Sequence, residues 1–377
     1  MEFENFRKIK VCYIISTLQN CGPVNILYGI ISGMDFERFD VTILTFNPEK
    51  KDSRIEDFYL LPITVVKLTE TKHIGPLQIF KRLKSEINKI NPDILHGHCP
   101  GSLMLIPFLG KKYHKVFTPH NFPGKHIRLI YGSKKGLIVE VIHNLMIGRY
   151  ERVICCSESV LAAYNRPEDN RFIAIPNGTS MPLWKRNVFE KNDLRKMFHF
   201  DDGVKYFVYI GRFASGKNIP TLVETFDTLD RDDIKLVMVG TGPLYECVKK
   251  KASSNIILTG YTTRVSDYLK AADFYISTSD SEGMPNTLLE NMAIGNPMLL
   301  SSIPAHKEIL ENFKENEVGF LIDQHNIGNI KDRIFDILKL DSEIVAHMEQ
   351  KVFLKKYTSQ VMSEKYQKVY EELLSKG

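Results

Sequence analysis

The chain has 377 residues, 43% hydrophobic and 25% charged, which describes a soluble globular protein too long for one hydrophobic core, so two domains are expected. No run reaches the eighteen or so uncharged apolar residues of a membrane span; GLIVEVIHNLMIG (136–148) comes nearest and is broken by Glu140. The net charge of +5 is unevenly shared, with 25 Lys and Arg against 17 Asp and Glu in residues 1–185 (net +8) and 25 against 28 in 186–377 (net −3), yet the basic runs lack the aromatic interleaving and motifs of a nucleic-acid binder.

The N-terminus, MEFENFRKIKVCYIIST, opens with two acids and becomes a strand, unlike a secretory signal. Lys10 to Thr17 reads as a buried parallel strand, followed by the loop LQNCGPVN and a helix from about Val24 to Met34. Gly22 in that loop lets the backbone approach a phosphate, although no G-x-G-x-x-G fingerprint is present. Strands at 39–46, 63–68 and 93–99, with an amphipathic helix from about Pro76 to Ile90, imply βαβ units and a parallel sheet. His96 and His98 share one side of a strand end, but no third metal ligand accompanies them; a site-lining or structural pair is the expectation.

KVFTPHN (115–121) is a strand ending in Thr118, His120 and Asn121, and Lys111, Lys112, Lys115, Lys125, Arg128, Lys134 and Lys135 cluster around it near apolar runs. Either a solvated basic surface or an anionic-membrane face follows from that cluster. A helical stretch runs through Arg149, RVICCSES (152–159) is a strand entering a helix, and RFIAIPNGTSM (171–181) is a strand running into a Pro-Asn-Gly turn. The six cysteines, at 12, 21, 99, 155, 156 and 247, show no C-x-x-C spacing, so reduced thiols in a cytoplasmic protein are expected.

In the second half, KYFVYIGRFASGKN (205–218) is a strand ending at Gly211, followed by Arg212 and Lys217, a planar fork and a mobile point charge suited to phosphate oxygens. IKLVMVGTGP (234–243) and NIILTGY (255–261) are further strands. AADFYISTS (271–279) is another, leading into SEGMPNTLLENMAIGNP (281–297). There Glu282 sits in a loop with Gly283, Met284 and Pro285, and Glu290 follows seven residues later in a helix that starts near Asn286 and stops at Gly295. Such a strand, loop and helix offer backbone N–H groups and a positive helix end to an anion, while the two carboxylates suit sugar hydroxyls. Strands at 297–302 and 319–322 follow, and a segment from about Lys355 to Leu374 carries Tyr357, Val361, Tyr366, Val369, Tyr370, Leu373 and Leu374 as a core stripe.

Residues 282–290 resemble the E-x7-E motif, and residues 211–217, GRFASGK with four residues between Arg and Lys where the motif has five, resemble the G-R-x5-K site, of retaining glycosyltransferases of the group 1, family 4-like type that use nucleotide sugars and have the GT-B fold. The T-x-H at 118–120 and the I-P-N-G at 175–178 are similar to that family as well. The resemblance implies two nested Rossmann-like α/β domains facing each other across a cleft. Residues 1–182 would hold the acceptor, 183–354 the nucleotide sugar, and a helix at 355–377 would pack back on the first domain. By the same resemblance Glu282 lies against the donor hexose, Glu290 on the ribose, Arg212 and Lys217 on the diphosphate with Gly22 and Gly211 close by. His120 then stands near donor sugar and acceptor, and the base near Gly260 and Tyr261.

The implied activity is transfer of a hexose-type sugar from a nucleoside diphosphate sugar, UDP being the commonest, to a glycan or lipid-linked acceptor with retention. By the same resemblance, no metal or other cofactor is expected. Surface polysaccharide assembly at the inner membrane face, with peripheral contact to anionic lipid and no nucleic-acid partner, is the implied setting. A nucleotide-sugar epimerase or hydrolase on the same fold, or a non-catalytic nucleotide-sugar-binding protein, is the alternative; a glycosidase would need no Arg and Lys beside its carboxylates.

Overall fold

A computed structural model describes residues 7–71, 74–121, 132–180 and 189–375. The chain divides into two compact units: Met1–Thr179 together with Ser359–Gly377, and Ser180–Thr358. The expected boundary at 182/183 lies outside the described residues, as do Lys125 and Arg128.

Seven parallel strands form the sheet of the first unit: β1 (Ile9–Ile15), β2 (Phe39–Thr45), β3 (Thr64–Lys67), β4 (Ile94–Gly97), β5 (His114–Phe117), β6 (Arg152–Cys155) and β7 (Phe172–Ala174). Their order is β3-β2-β1-β4-β5-β6-β7, so the direction of winding reverses beside β1, with Tyr13 opposite Ile43 on one side and His96 on the other. In such sheets ligands bind at the carboxyl ends of the strands near the reversal. The helices are α1 (Gly22–Ser32), α2 (Ile55–Tyr59), α3 (Pro76–Ile90), α4 (Pro100–Leu105) with a 3₁₀ turn at Ile106–Phe108, α5 (Ser133–Ile147) and α6 (Glu158–Ala163). Gly22, expected in a loop, is the first residue of α1, because Pro23 can take an early helical position where no N–H is needed.

Six parallel strands build the second unit: β8 (Lys205–Ile210), β9 (Ile234–Val239), β10 (Ile256–Gly260), β11 (Phe274–Ser277), β12 (Met298–Ser301) and β13 (Gly319–Ile322), in the order β10-β9-β8-β11-β12-β13. Its helices are α7 (Lys191–Met197), α8 (Ile219–Asp227), α9 (Tyr245–Lys251), α10 (Val265–Ala271), α11 (Asn286–Ile294), α12 (Pro304–Leu310), α13 (Ile327–Ile337) and α14 (Ser342–Lys356). The strand expected over 271–279 covers only Phe274–Ser277, since Ala271 ends α10 and the Asp273 carboxylate is tied to Lys191, Arg195 and the Tyr206 N–H. Gly240 has φ +134° and its backbone lies against the Gly211 carbonyl, 2.1 Å from where a Cβ would stand, so only glycine fits. At the end of α11, Gly295 takes φ +96° and donates to Asn291, the left-handed cap that the Gly-Asn-Pro sequence announces.

The segment expected as one helix from about Lys355 is two. α14 ends at Lys356 in the second unit, and α15 (Ser359–Leu374) belongs to the first. Tyr357 stays with the second unit, accepting from the Asn312 side chain at 3.0 Å. On α15, Met362, Tyr366, Val369, Tyr370 and Leu373 join the core under β1 and α1. Gly29 of α1 and Gly33 just past its end allow close approach, for a Cβ at either would come within 2.8 Å of Ser359 or Ser363.

Candidate active site

In the second unit, the loop after β8 and the loop after β11 are stitched together at the carboxyl edge where the sheet order reverses. Asp280 N–H donates to the Gly216 carbonyl (2.8 Å), Thr278 Oγ1 to the Lys217 carbonyl (2.8 Å), and Asn218 Nδ2 to Asp280 Oδ1 (2.7 Å). This brings together side chains 65 positions apart: Lys217 Nζ donates to Glu282 Oε1, which also accepts from Ser279 Oγ at 2.7 Å. Burial alone would raise the Glu282 pKa, but the ammonium of Lys217 and the two hydrogen bonds outweigh it and hold the carboxyl below its ordinary value. Glu282 is therefore a carboxylate at neutral pH.

Glu290, one turn into α11, makes no hydrogen bond or ion pair with a described residue, and burial pushes its pKa up to about 7. Tyr275, hydrogen-bonded to Thr287 Oγ1 at 3.0 Å, lies within electrostatic reach of both Glu282 and Glu290. Asn286 is the first residue of α11 and Pro285 precedes it, so the helix N-terminus begins where the sequence pattern puts it, with Gly283 and Met284 buried behind. Arg212 is exposed beyond Gly211, and its guanidinium contacts no described partner. Gly260 (φ +72°) and the exposed Tyr261 sit at the tip of β10, the edge strand, with β9 between them and β8.

Sequence reasoning missed Ser279 and His306. His306 is fully buried near the start of α12, its Nδ1 within 3.0 Å of Ser301 Oγ and its Nε2 without a hydrogen bond. Burial lowers its pKa to about 4, against the pull of Glu282. Nothing in local spacing links it to a glutamate 24 positions away; only the pairing of β11 with β12 does so.

The first unit holds Gly22 and His120. His96 is structural: Nδ1 meets Tyr370 Oη at 2.7 Å and Nε2 meets Thr118 Oγ1 at 2.9 Å, so both ring nitrogens are occupied. His98 Nδ1 lies 3.2 Å from His120 Nε2, while His98 Nε2 is buried without a partner. Burial lowers both of these pKa values, His120 to about 4, so the two imidazoles are neutral. They line a cavity of about 560 Å³ with Thr118, Asn121 and Cys99; its other walls are largely apolar, including Val24, Leu103, Met104 and Ile142. Lys115 does not join the basic surface expected of it, because its ammonium turns inward to the carbonyls of Pro107 and Leu109.

Two parallel-sheet α/β units, the second presenting a cation-carboxylate pair, another carboxylate and a helix N-terminus at one strand edge, place the chain in the GT-B fold class. Residues 190–353 match the family model described as Glycosyl transferases group 1, and residues 22–181 that of Glycosyltransferase Family 4. The chain is 32% identical to the putative teichuronic acid biosynthesis glycosyltransferase TuaC of Bacillus subtilis, over 73% of this chain and 72% of that one. It is 26% identical to the alpha-monoglucosyldiacylglycerol synthase of Streptococcus pneumoniae, over 72% of this chain and 66% of that one. Among solved structures, Anabaena Alr3699/HepE in complex with UDP and glucose superposes with a TM-score of 0.76 at 14% identity, covering 96% of this chain and 99% of that one. The chain belongs to the glycosyl transferases group 1 family.

Proposed function

We propose that this glycosyltransferase moves a hexose-type sugar from UDP to a lipid-linked or glycan acceptor, with retention of anomeric configuration and without a metal ion, in surface polysaccharide assembly. The observation that carries the reading is Lys217 held on Glu282 beside the start of α11, with the Glu290 carboxylate otherwise unsatisfied. Lys217, Arg212 and the N–H groups of α11 bind the diphosphate and stabilise the charge that develops on it, the part a divalent cation plays elsewhere. Glu290 accepts hydrogen bonds from the ribose hydroxyls and Glu282 from the hexose. The acceptor hydroxyl oxygen bonds to the anomeric carbon on the face the diphosphate leaves; the carbon–oxygen bond to the diphosphate breaks, and the hydroxyl proton passes to the departing oxygen.

UDP as the donor nucleotide is supported by the Anabaena structure, and a surface-glycan or lipid acceptor by the names of the two bacterial relatives. The first unit holds the acceptor in this reading, its apolar cavity, which His120 lines, receiving the acceptor's less polar part. Work at the inner face of a membrane fits the basic surplus in residues 1–185; among the described residues no helix is long and apolar enough to cross a membrane. Incubation with a panel of nucleotide sugars, reading nucleoside diphosphate release with and without membrane extract, tests the proposal. UDP release that depends on the extract is expected. Release of free sugar without acceptor, appearance of an epimer, or binding without turnover would instead assign a hydrolase, an epimerase or a binding protein.

A further inference from the structure

α5 is apolar on both sides. Its inner side, through Val139, Ile142 and His143, lines the cavity of the first unit. Its outer side leaves Leu137, Ile138, Val141 and Leu145 between 50% and 63% exposed, and Ile142 at the margin. At 3.6 residues per turn these five span an arc of roughly 140°, one continuous stripe and not scattered single residues. Met104 of α4 and Phe108 of the following turn are exposed as well, and Phe108 lies beneath the Arg149 guanidinium that follows α5, 5.3 Å away. The patch therefore extends beyond the helix, and a contiguous apolar surface of this kind marks something that covers it.

Charge decides what the cover is. Lys134 and Lys135 stand exposed in the first turn of α5 at the same side as the stripe, and Arg149 is exposed just past its end. Lys111 and Lys112, which follow Phe108 closely in the chain, are exposed as well. Cations at both ends of an apolar stripe match a surface that is apolar within and anionic at its rim, namely a bilayer with acidic headgroups. A helix of 15 residues is about 22 Å long, short of the roughly 30 Å hydrocarbon core, so it lies in the interface and does not span.

We infer that the outer face of α5, with Met104 and Phe108, docks the protein on an anionic lipid bilayer, with the cavity directly behind the same helix. This rests on the membrane-side reading of the transferase and supplies its surface: a lipid-borne acceptor passes from the bilayer to the cavity around one helix, without crossing water. The full chain is mixed with vesicles of phosphatidylcholine alone and of phosphatidylcholine with phosphatidylglycerol, and co-sedimentation is measured. UDP binding to each protein without vesicles is followed by thermal shift, so that a failure of docking is separable from a failure of the transferase reading. Binding to the phosphatidylglycerol vesicles only is expected, falling at least about tenfold in an Ile138→Glu/Leu145→Glu variant and in a Lys134→Glu/Lys135→Glu variant, with the UDP shift unchanged in both. Undiminished binding in those variants, equal binding to both vesicle types, no binding to either, or self-association of the wild type that the variants abolish would overturn the inference.

Discussion

Lys217 is held in place by the Glu282 carboxylate, and in the proposed reaction an incoming diphosphate would share an ammonium the fold has already positioned. Such positioning makes electrostatic stabilisation effective, since no reorganisation accompanies bond breaking. Lys217→Ala is expected to lower kcat about 10²-fold or more, with a smaller change in donor KM, measured by steady-state UDP release; an unchanged kcat would remove Lys217 from the leaving-group role. These two residues were legible in the sequence because each follows a strand and sits among Gly, Pro or Ser at a fixed spacing. Ser279 and His306 were not, because their place at the site comes from strand order and not from any spacing a reader can count. His98 stood between a structural and a site-lining role; its buried, unpartnered Nε2 on the cavity wall favours the second.

At the scale of elements, α15 closes the first unit with polar as well as apolar contacts. Tyr370 Oη meets Tyr13 Oη at 2.9 Å and His96 Nδ1 at 2.7 Å, and Tyr366 Oη lies 3.2 Å from Thr118 Oγ1. All are buried, so removing one hydroxyl strands its partners away from water. Tyr370→Phe keeps the ring and deletes those two bonds; a loss of about 1–3 kcal/mol is expected in urea unfolding, with the CD spectrum of the folded state unchanged. The apolar stripe of this helix was readable from its period, whereas the break before Ser359 was not, because Tyr357 fits the same period while packing elsewhere. The α5 run was readable as helical and, with Glu140 breaking it, as no membrane span, whereas which side meets a cavity and which is exposed was not.

Across the whole molecule, buried neutral histidines set the acid limit. Burial depresses His120, His143 and His306 to about 4, and His96 and His98 fall well below their ordinary value. Their folded pKa values lie below the unfolded value near 6.5, so the stability they allow is full above that pH and is lost as pH falls toward 4, at about 1.4 kcal/mol per unit for each independent site. Glu290, raised to about 7, and Glu349, buried in α14 and raised well above its ordinary value, act in the opposite sense, their contributions declining as pH rises from 4.5. Five histidines outweigh two glutamates. The urea midpoint is therefore expected to drop steeply between pH 6.5 and 4.5, and a flat midpoint across that interval would contradict the neutral assignment.

The architecture of two α/β units was legible because strands and helices alternate at lengths that only parallel sheets accommodate; which hydroxyls lock the first unit was not, since that needs residues more than 350 positions apart to meet, as Tyr13 and Tyr370 do. The first unit is interrupted: the chain leaves it at Thr179 and returns at Ser359. During synthesis on the ribosome the second unit therefore emerges complete while the first sheet still lacks its closing helix. Until α15 appears, β1 and α1 have no cover on that side and His96 has no tyrosine to hold it, so the earlier-made half is the later to mature.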